Sequence, residues 1–328
     1  MKTQETPLKL TVLLAFAAVY IIWGTTYLAI VIGLKSFPPF ILASIRYVTA
    51  AVILLAICAI KGEQIFIRSA VKSMLTGAVV LTGGQAILFW AEKYIASGLT
   101  AVLVSTLPIW FVILDKSQWR NYFSNKYIIA GLITGFCGIL LLFQKFLFGN
   151  SQDNNSKYQL LAVIVVLLSC IFWVSGSLYS KYRPVPGSLF LKVGWQLTGG
   201  LASCLIISFL FGEYKIFSFA QVTASSWAAV LYLAIAGSIV AFGAYTWLIK
   251  VKPAAVVGTF AYVNPVIAVL AGCLIANEKV SVYQLSGMVI ILVAAFLINK
   301  KDLSDAKVNP PANKKLQPTP CKTDNISA

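Results

Sequence analysis

WAEKYIASGLTAVLVSTLP, residues 90 to 108, is answered 157 positions later by WLIKVKPAAVVGTFAYVNP, residues 247 to 265. Trp90, Tyr94, Ser97, Ala101 and Pro108 stand where the second stretch has Trp247, Val251, Ala254, Gly258 and Pro265. Downstream, Tyr127-x-x-x-Gly131 is matched by Tyr283-x-x-x-Gly287 at an offset of 156. Upstream, Leu42 and Thr49 are matched by Leu191 and Thr198 at an offset of 149, and Trp23 by Trp173. The collinear order with small drift identifies an internal duplication, which in an apolar chain is a mark of transporters.

Composition fixes the solvent. Of 328 residues, 59% are hydrophobic and 11% charged, and mean hydropathy is +0.86. Such a chain cannot clothe a soluble domain in polar surface. Crossing a bilayer takes about 20 helical residues. Apolar runs of that order lie near 10–33, 38–60, 71–91, 96–114 and 127–148, then 158–180, 188–211, 226–249, 254–276 and 282–299. The expectation is an all-α integral membrane protein with ten transmembrane helices, arranged as two inverted five-helix repeats around a central cavity. Residues 1–149 and 158–299 hold the repeats, 150–157 link them, and 300–328 form a polar, Pro-rich tail expected to be disordered.

Five is odd, so regular threading makes the second repeat enter the membrane with opposite orientation. Lys and Arg resist translocation. With the N-terminus in the cytoplasm, thirteen of them fall inside before the tail is counted, and six fall outside: Lys35, Lys93, Lys145, Lys157, Lys215 and Lys279. Both termini are therefore expected to be cytoplasmic. The net charge of +16 then faces anionic lipid head groups and does not imply nucleic acid. The first apolar run is longer than a signal-peptide core, so it reads as an uncleaved helix.

Cysteine and histidine inform by absence. Five of six cysteines lie in apolar runs without metal-ligand spacing, and there is no histidine. Nor does any span carry a carboxylate cluster that would hold a metal or act as base. An enzyme is not expected, and neither is a cofactor. Proton carriers usually sit near the midplane, whereas Glu92, Asp115 and Glu278 lie near span ends. Glu92 is the one candidate proton carrier.

WGTTYLAIVIGLKSFPPFILASIRY, residues 23–47, and AYVNPVIAVLAGCLIANEKVSVYQLSG, residues 261–287, resemble the EamA-type transporters of the drug/metabolite transporter superfamily. The resemblance runs from about residue 8 to 299. It implies the ten-helix inverted-repeat fold in the bacterial cytoplasmic membrane, and export of amino acids, other metabolites or toxic compounds. Asn121 or its neighbours stand where the second repeat has Glu278, a departure that leaves the first repeat without that acid.

Individual residues sharpen the site. Arg46 lies roughly 12 Å into the second span, and intramembrane charge marks function by default. It reads either as a cavity cation for a carboxylate-bearing substrate or as the partner of Glu92. Thr82, Gln85, Phe89 and Glu92 form a polar stripe on span three; Ser238, Phe242 and Tyr245 form one on span eight. Either stripe faces water or another helix. Tyr20, Trp23 and Tyr27 share one face of span one, and Trp173 marks span six, where a cavity wall or interfacial packing would explain them. Pro108 and Pro265 each remove a backbone donor, pointing to weakened helices along a substrate path, with Tyr262 and Asn264 beside the second. Gly131-x-x-x-Gly135 permits close helix approach or a homodimer contact. The expected substrate ligands are thus Trp23, Tyr27, Arg46, Gln85, Trp173, Tyr245, Tyr262 and Asn264, with a small molecule and membrane lipid as partners. Uptake of a specific metabolite is the alternative direction; a membrane-embedded enzyme or scaffold is the alternative class.

Overall fold

The computed structural model describes residues 9–92, 94–95, 97–144, 156–276 and 281–299. Glu278, nearly all of the linker and the tail from residue 300 lie outside the described residues. Among the described residues every regular element is a helix. In chain order these are α1 (Lys9–Leu34), α2 (Pro39–Ile60), α3 (Ile67–Gly77), α4 (Ile87–Ala91), α5 (Ser97–Val104), α6 (Leu107–Leu114), α7 (Trp119–Phe123) and α8 (Lys126–Leu142). There follow α9 (Ser156–Tyr182), α10 (Leu189–Leu210), α11 (Glu213–Ile216), α12 (Ala224–Tyr232), α13 (Phe242–Val251), α14 (Ala254–Val257), α15 (Phe260–Ala276) and α16 (Val282–Asn299).

Among the described residues seven rods are long and apolar enough to cross a membrane: Lys9–Leu34, Pro39–Ile60, Ile67–Ala91, Tyr158–Tyr182, Leu189–Leu210, Ala224–Val251 and Ala254–Ala271. An eighth results if the bent pair Thr100–Leu114 and Lys116–Phe123, which turn by 67°, is one span. The apolar helices Lys126–Leu142 and Val282–Ile298 are shorter. The difference from ten uniform spans has local causes. The run at 96–114 breaks at Ser105–Thr106, just before Pro108, and the 17 residues of α8 reach only about 26 Å.

Two rods contain π-helical stretches of nine residues, Ala78–Ala86 between α3 and α4 and Leu233–Ala241 between α12 and α13. The wider turn frees carbonyls from the i−4 ladder, and other helices use them. The Tyr47 hydroxyl donates to the Leu81 carbonyl (3.1 Å) and Trp23 Nε1 to that of Gly237 (3.2 Å).

Helix ends follow from sequence chemistry. Pro39 opens α2, where its missing N–H is no loss. The Glu213 carboxylate then accepts the free N–H groups of Phe40 (3.1 Å) and Ile41 (3.0 Å), a charge matched to the helix dipole. Gly62, at φ +66°, closes α2: its N–H meets the Ala59 carbonyl and that of Glu63 meets Cys58, the paired bonds of a Schellman cap. Ser188, Thr223 and Asn125 cap α10, α12 and α8 with their side-chain oxygens.

α2 packs along α10, and α8 along α16. α1 lies against α15 and the rod of α12 and α13, while α9 lies against the first π-helical stretch and α4 to α6. Where α3 meets α10, a Cβ on Gly77 would strike the Gln196 carbonyl and one on Gly199 the Met74 carbonyl, so backbone touches backbone. Gly131 and Gly135 face inward: a Cβ on the first would meet Ile298 at 2.5 Å and on the second Tyr262 at 2.5 Å.

Candidate functional site: an aromatic-floored cavity

A cavity of about 490 Å³ opens between α1, α4, α5, α6 and α15, within the size range of small-molecule sites. Its lining runs from Trp23 to Val31 on α1, from Gly84 to Glu92 on the third rod, and from Phe260 to Ala271 on α15, with Gln284 from α16. It therefore opens at the face where α1 and α15 end and α16 begins.

The floor is built from rings. Trp23 centres it, 4.9 Å from Phe260, 5.2 Å from Tyr245 and 5.5 Å from Trp173. The Trp23–Phe260 and Trp23–Trp173 pairs are edge-on, the arrangement aromatic quadrupoles favour. Trp23 is fixed by its bond to Gly237, whereas Trp173, also buried, has no partner for Nε1 and lines the cavity. That makes Trp173 an uncommitted donor at the floor. Above it, Gln85 Oε1 accepts from Tyr47 (3.1 Å), and the Asn264 amide, with its oxygen and nitrogen exchanged, donates to the carbonyls of Tyr20 (3.3 Å) and Phe260 (3.0 Å). Among the described residues of the lining Glu92 is the one charged side chain; it also lines a second hollow at the same face, beside Lys35 and Phe37.

The expected site residues divide. Trp23, Tyr27, Gln85, Glu92, Trp173, Asn264 and Pro265 line the cavity. Tyr245 stands behind the floor, donating to Ser177 Oγ at 2.6 Å. Tyr262 points away, donating to the Leu132 carbonyl (3.0 Å). Pro108 begins α6 at the break and is not in the lining, whereas Pro265 lies inside continuous α15. Arg46 is outside the lining as well: it is 2% exposed, its Nε donates to Ser238 Oγ (2.7 Å), and its Nη1 has no partner. Ser238, not Glu92, is its partner. Thr82 leaves the stripe for Ser203 on α10 (2.6 Å).

The opposite face is closed. Buried Asp115 accepts from Tyr122 (2.9 Å) and Tyr182 (2.6 Å), the Ala255 N–H donates to the Tyr122 hydroxyl (3.4 Å), and Lys181 Nζ donates to the Lys252 carbonyl (2.6 Å). Among the described residues, no three Cys, Asp or Glu side chains converge as metal ligands would.

The sequence pattern of the EamA-like transporter family matches residues 9–144 and again 160–300. The chain belongs to the EamA-like transporter family. Among its relatives is the uncharacterized inner membrane transporter YedA of Escherichia coli K12, 32% identical over 87% of this chain and 89% of that protein. The uncharacterized transporter YoaV of Bacillus subtilis is 25% identical over 87% and 96%, and a probable amino-acid metabolite efflux pump of Salmonella typhimurium 23% identical over 85% and 91%. A solved crystal structure superposes on 91% of this chain and 100% of its own with a TM-score of 0.72, at 18% identity, and so shares the fold.

For this EamA-family chain, sequence reasoning missed Phe260 and Thr100 among the cavity residues. Phe260 had a signal: Phe260, Asn264, Ala268 and Ala271 recur at helical spacing on one face of α15. Thr100 had none, since it sits in a short helix before a break.

Proposed function

We propose that this chain is a ten-span carrier of two inverted five-helix repeats in the bacterial inner membrane, with both termini in the cytoplasm. It exports a small organic molecule, an amino-acid-like metabolite or drug, by alternating access through the Trp23–Trp173 cavity. The observation that carries the reading is a cavity open at one face over an aromatic floor, with the opposite face tied shut at Asp115. The two separate stretches matched by the family pattern, and α2 on α10 beside α8 on α16, support the repeat. The lysine and arginine imbalance supports the orientation. The name of the Salmonella relative supports export.

The lining also favours a substrate chemistry. Among the described lining residues Glu92 is the charge and no Lys or Arg joins it, and the rings that line the cavity attract ammonium groups. With Arg46 committed to Ser238, the cavity suits an amine-bearing or lipophilic cationic compound better than a simple carboxylate.

Counterflow in proteoliposomes tests this, using amino acids, nucleosides, organic acids and lipophilic cations read by mass spectrometry, with and without a pH gradient. Amine-bearing compounds should move, Trp173→Ala should slow them about tenfold, and Glu92→Gln should slow cations more than neutral compounds. Preferential movement of amine-free carboxylates, or none by folded protein, would overturn the reading.

A further inference from the structure

At the closed face a third, small crevice, of about 20 Å³, collects positive charge around it from four rods. Lys72 comes from the middle of α3, Arg183 from just beyond α9, Lys192 from the first turn of α10, and Lys250 from the end of α13. None of the residues lining the crevice is acidic. Of the described acids, Asp115 is bonded to two tyrosines and Glu213 to the start of α2, while Glu63, in the turn after α2, is not part of the lining. Four like charges brought together with no counter-charge among the described lining residues repel one another, a cost that a bound anion removes.

A second observation points the same way. Gln196, only 5% exposed, lines the crevice with Oε1 unpartnered. A buried acceptor left unbonded costs about 1–3 kcal/mol, and turning the amide over puts the donors of its nitrogen at that place instead. Its backbone is fixed rigidly, because the Gln196 carbonyl is the atom against which Gly77 packs. Buried Ser73 supplies a hydroxyl beside it. Cations that converge from separate helices around a polar, rigid base are the chemistry that holds a phosphate group, and such pockets between spans take lipid head groups.

We infer that the Lys72–Arg183–Lys192–Lys250 crevice is a binding site for a phosphate-bearing anion, distinct from the aromatic cavity and independent of what that cavity carries. An anion there ties together α3, α9, α10 and α13 at the closed face.

The test uses the full-length protein in detergent. Native mass spectrometry compares retained phosphatidylglycerol with phosphatidylcholine of the same acyl chains, and thermal melts compare inorganic phosphate with chloride at fixed ionic strength. The wild type should retain phosphatidylglycerol over phosphatidylcholine about tenfold or more. The triple variant Lys72→Gln, Arg183→Gln, Lys192→Gln should fall to parity. The variant Arg68→Gln, Arg120→Gln, Lys126→Gln, which removes as much charge from the same face, should keep the preference. Should the first triple not fold, Lys192→Gln and Gln196→Leu singly should each weaken retention several-fold. Protection by inorganic phosphate identifies free phosphate as sufficient; protection by the lipid alone assigns a head group. Equal losses in both triple variants, or no preference in the wild type, would overturn the site.

Discussion

Arg46 holds one strong hydrogen bond, to Ser238, and leaves Nη1 empty in a setting that is 2% exposed. An incompletely satisfied buried charge is poor for stability, and apolar replacements of similar volume are often neutral or better. Arg46→Met should therefore leave the melting temperature of the purified protein unchanged or raised. Ser238→Ala, which keeps the charge and removes its partner, should destabilise by about 1.5–3 kcal/mol. Because Glu92 is not the partner, adding Glu92→Ala to Arg46→Ala should rescue nothing. A double-variant melt that recovers wild-type stability would restore the ion-pair reading. Sequence shows that Arg46 is buried in an apolar run, which is its notable property. It does not show the partner, which lies 192 residues away and on a different helix. Trp173 was legible as a deep tryptophan, but its free indole N–H was not, since that depends on where Gly237 and Trp23 come to rest.

Between elements, the contact of α3 with α10 is the tightest constraint. Gly77→Ala and Gly199→Ala each place a methyl against an opposing carbonyl, and overpacking of this kind costs about 1–3 kcal/mol or more. The two changes share one contact, so their effects should not add. Gly243→Ala, with no atom within 4 Å of the new carbon, should instead be neutral or stabilise by up to about 1 kcal/mol through helix propensity. Melts of the three variants check the order. The rods themselves were legible because apolar runs and their polar breaks are local properties: 10–33 became Lys9–Leu34, and 188–211 became Leu189–Leu210. The π-helical stretches were not, because no residue type demands them. They explain why the stripe on the third rod splits, since a wider turn carries Thr82 to α10 while Gln85 and Glu92 keep to the cavity. Matched prolines likewise misled about symmetry, with Pro108 starting a helix after a break and Pro265 embedded in one.

For the whole molecule, the closed face rests on Asp115, which joins the α6–α7 corner to the end of α9. Asn at this position keeps the shape but offers one acceptor where the carboxylate offers two. Asp115→Asn should loosen that face, so that a cysteine placed at Ser177, beneath the aromatic floor, reacts several-fold faster with an impermeant maleimide from that side. Unchanged labelling would mean that Asp115 only holds a corner. The duplication, the membrane class and the aromatic and polar part of the cavity wall, from Trp23 and Gln85 to Trp173 and Asn264, were readable from residues alone. The closure was not, because it arises from Tyr122, Tyr182 and Ala255 meeting across the chain. One such meeting bears on how the protein is made. Glu213 supplies the acceptors for Phe40 and Ile41, 173 and 172 residues earlier. During synthesis α2 must therefore enter lipid with those amides still bare, and its final seat waits until the later half of the chain has left the ribosome.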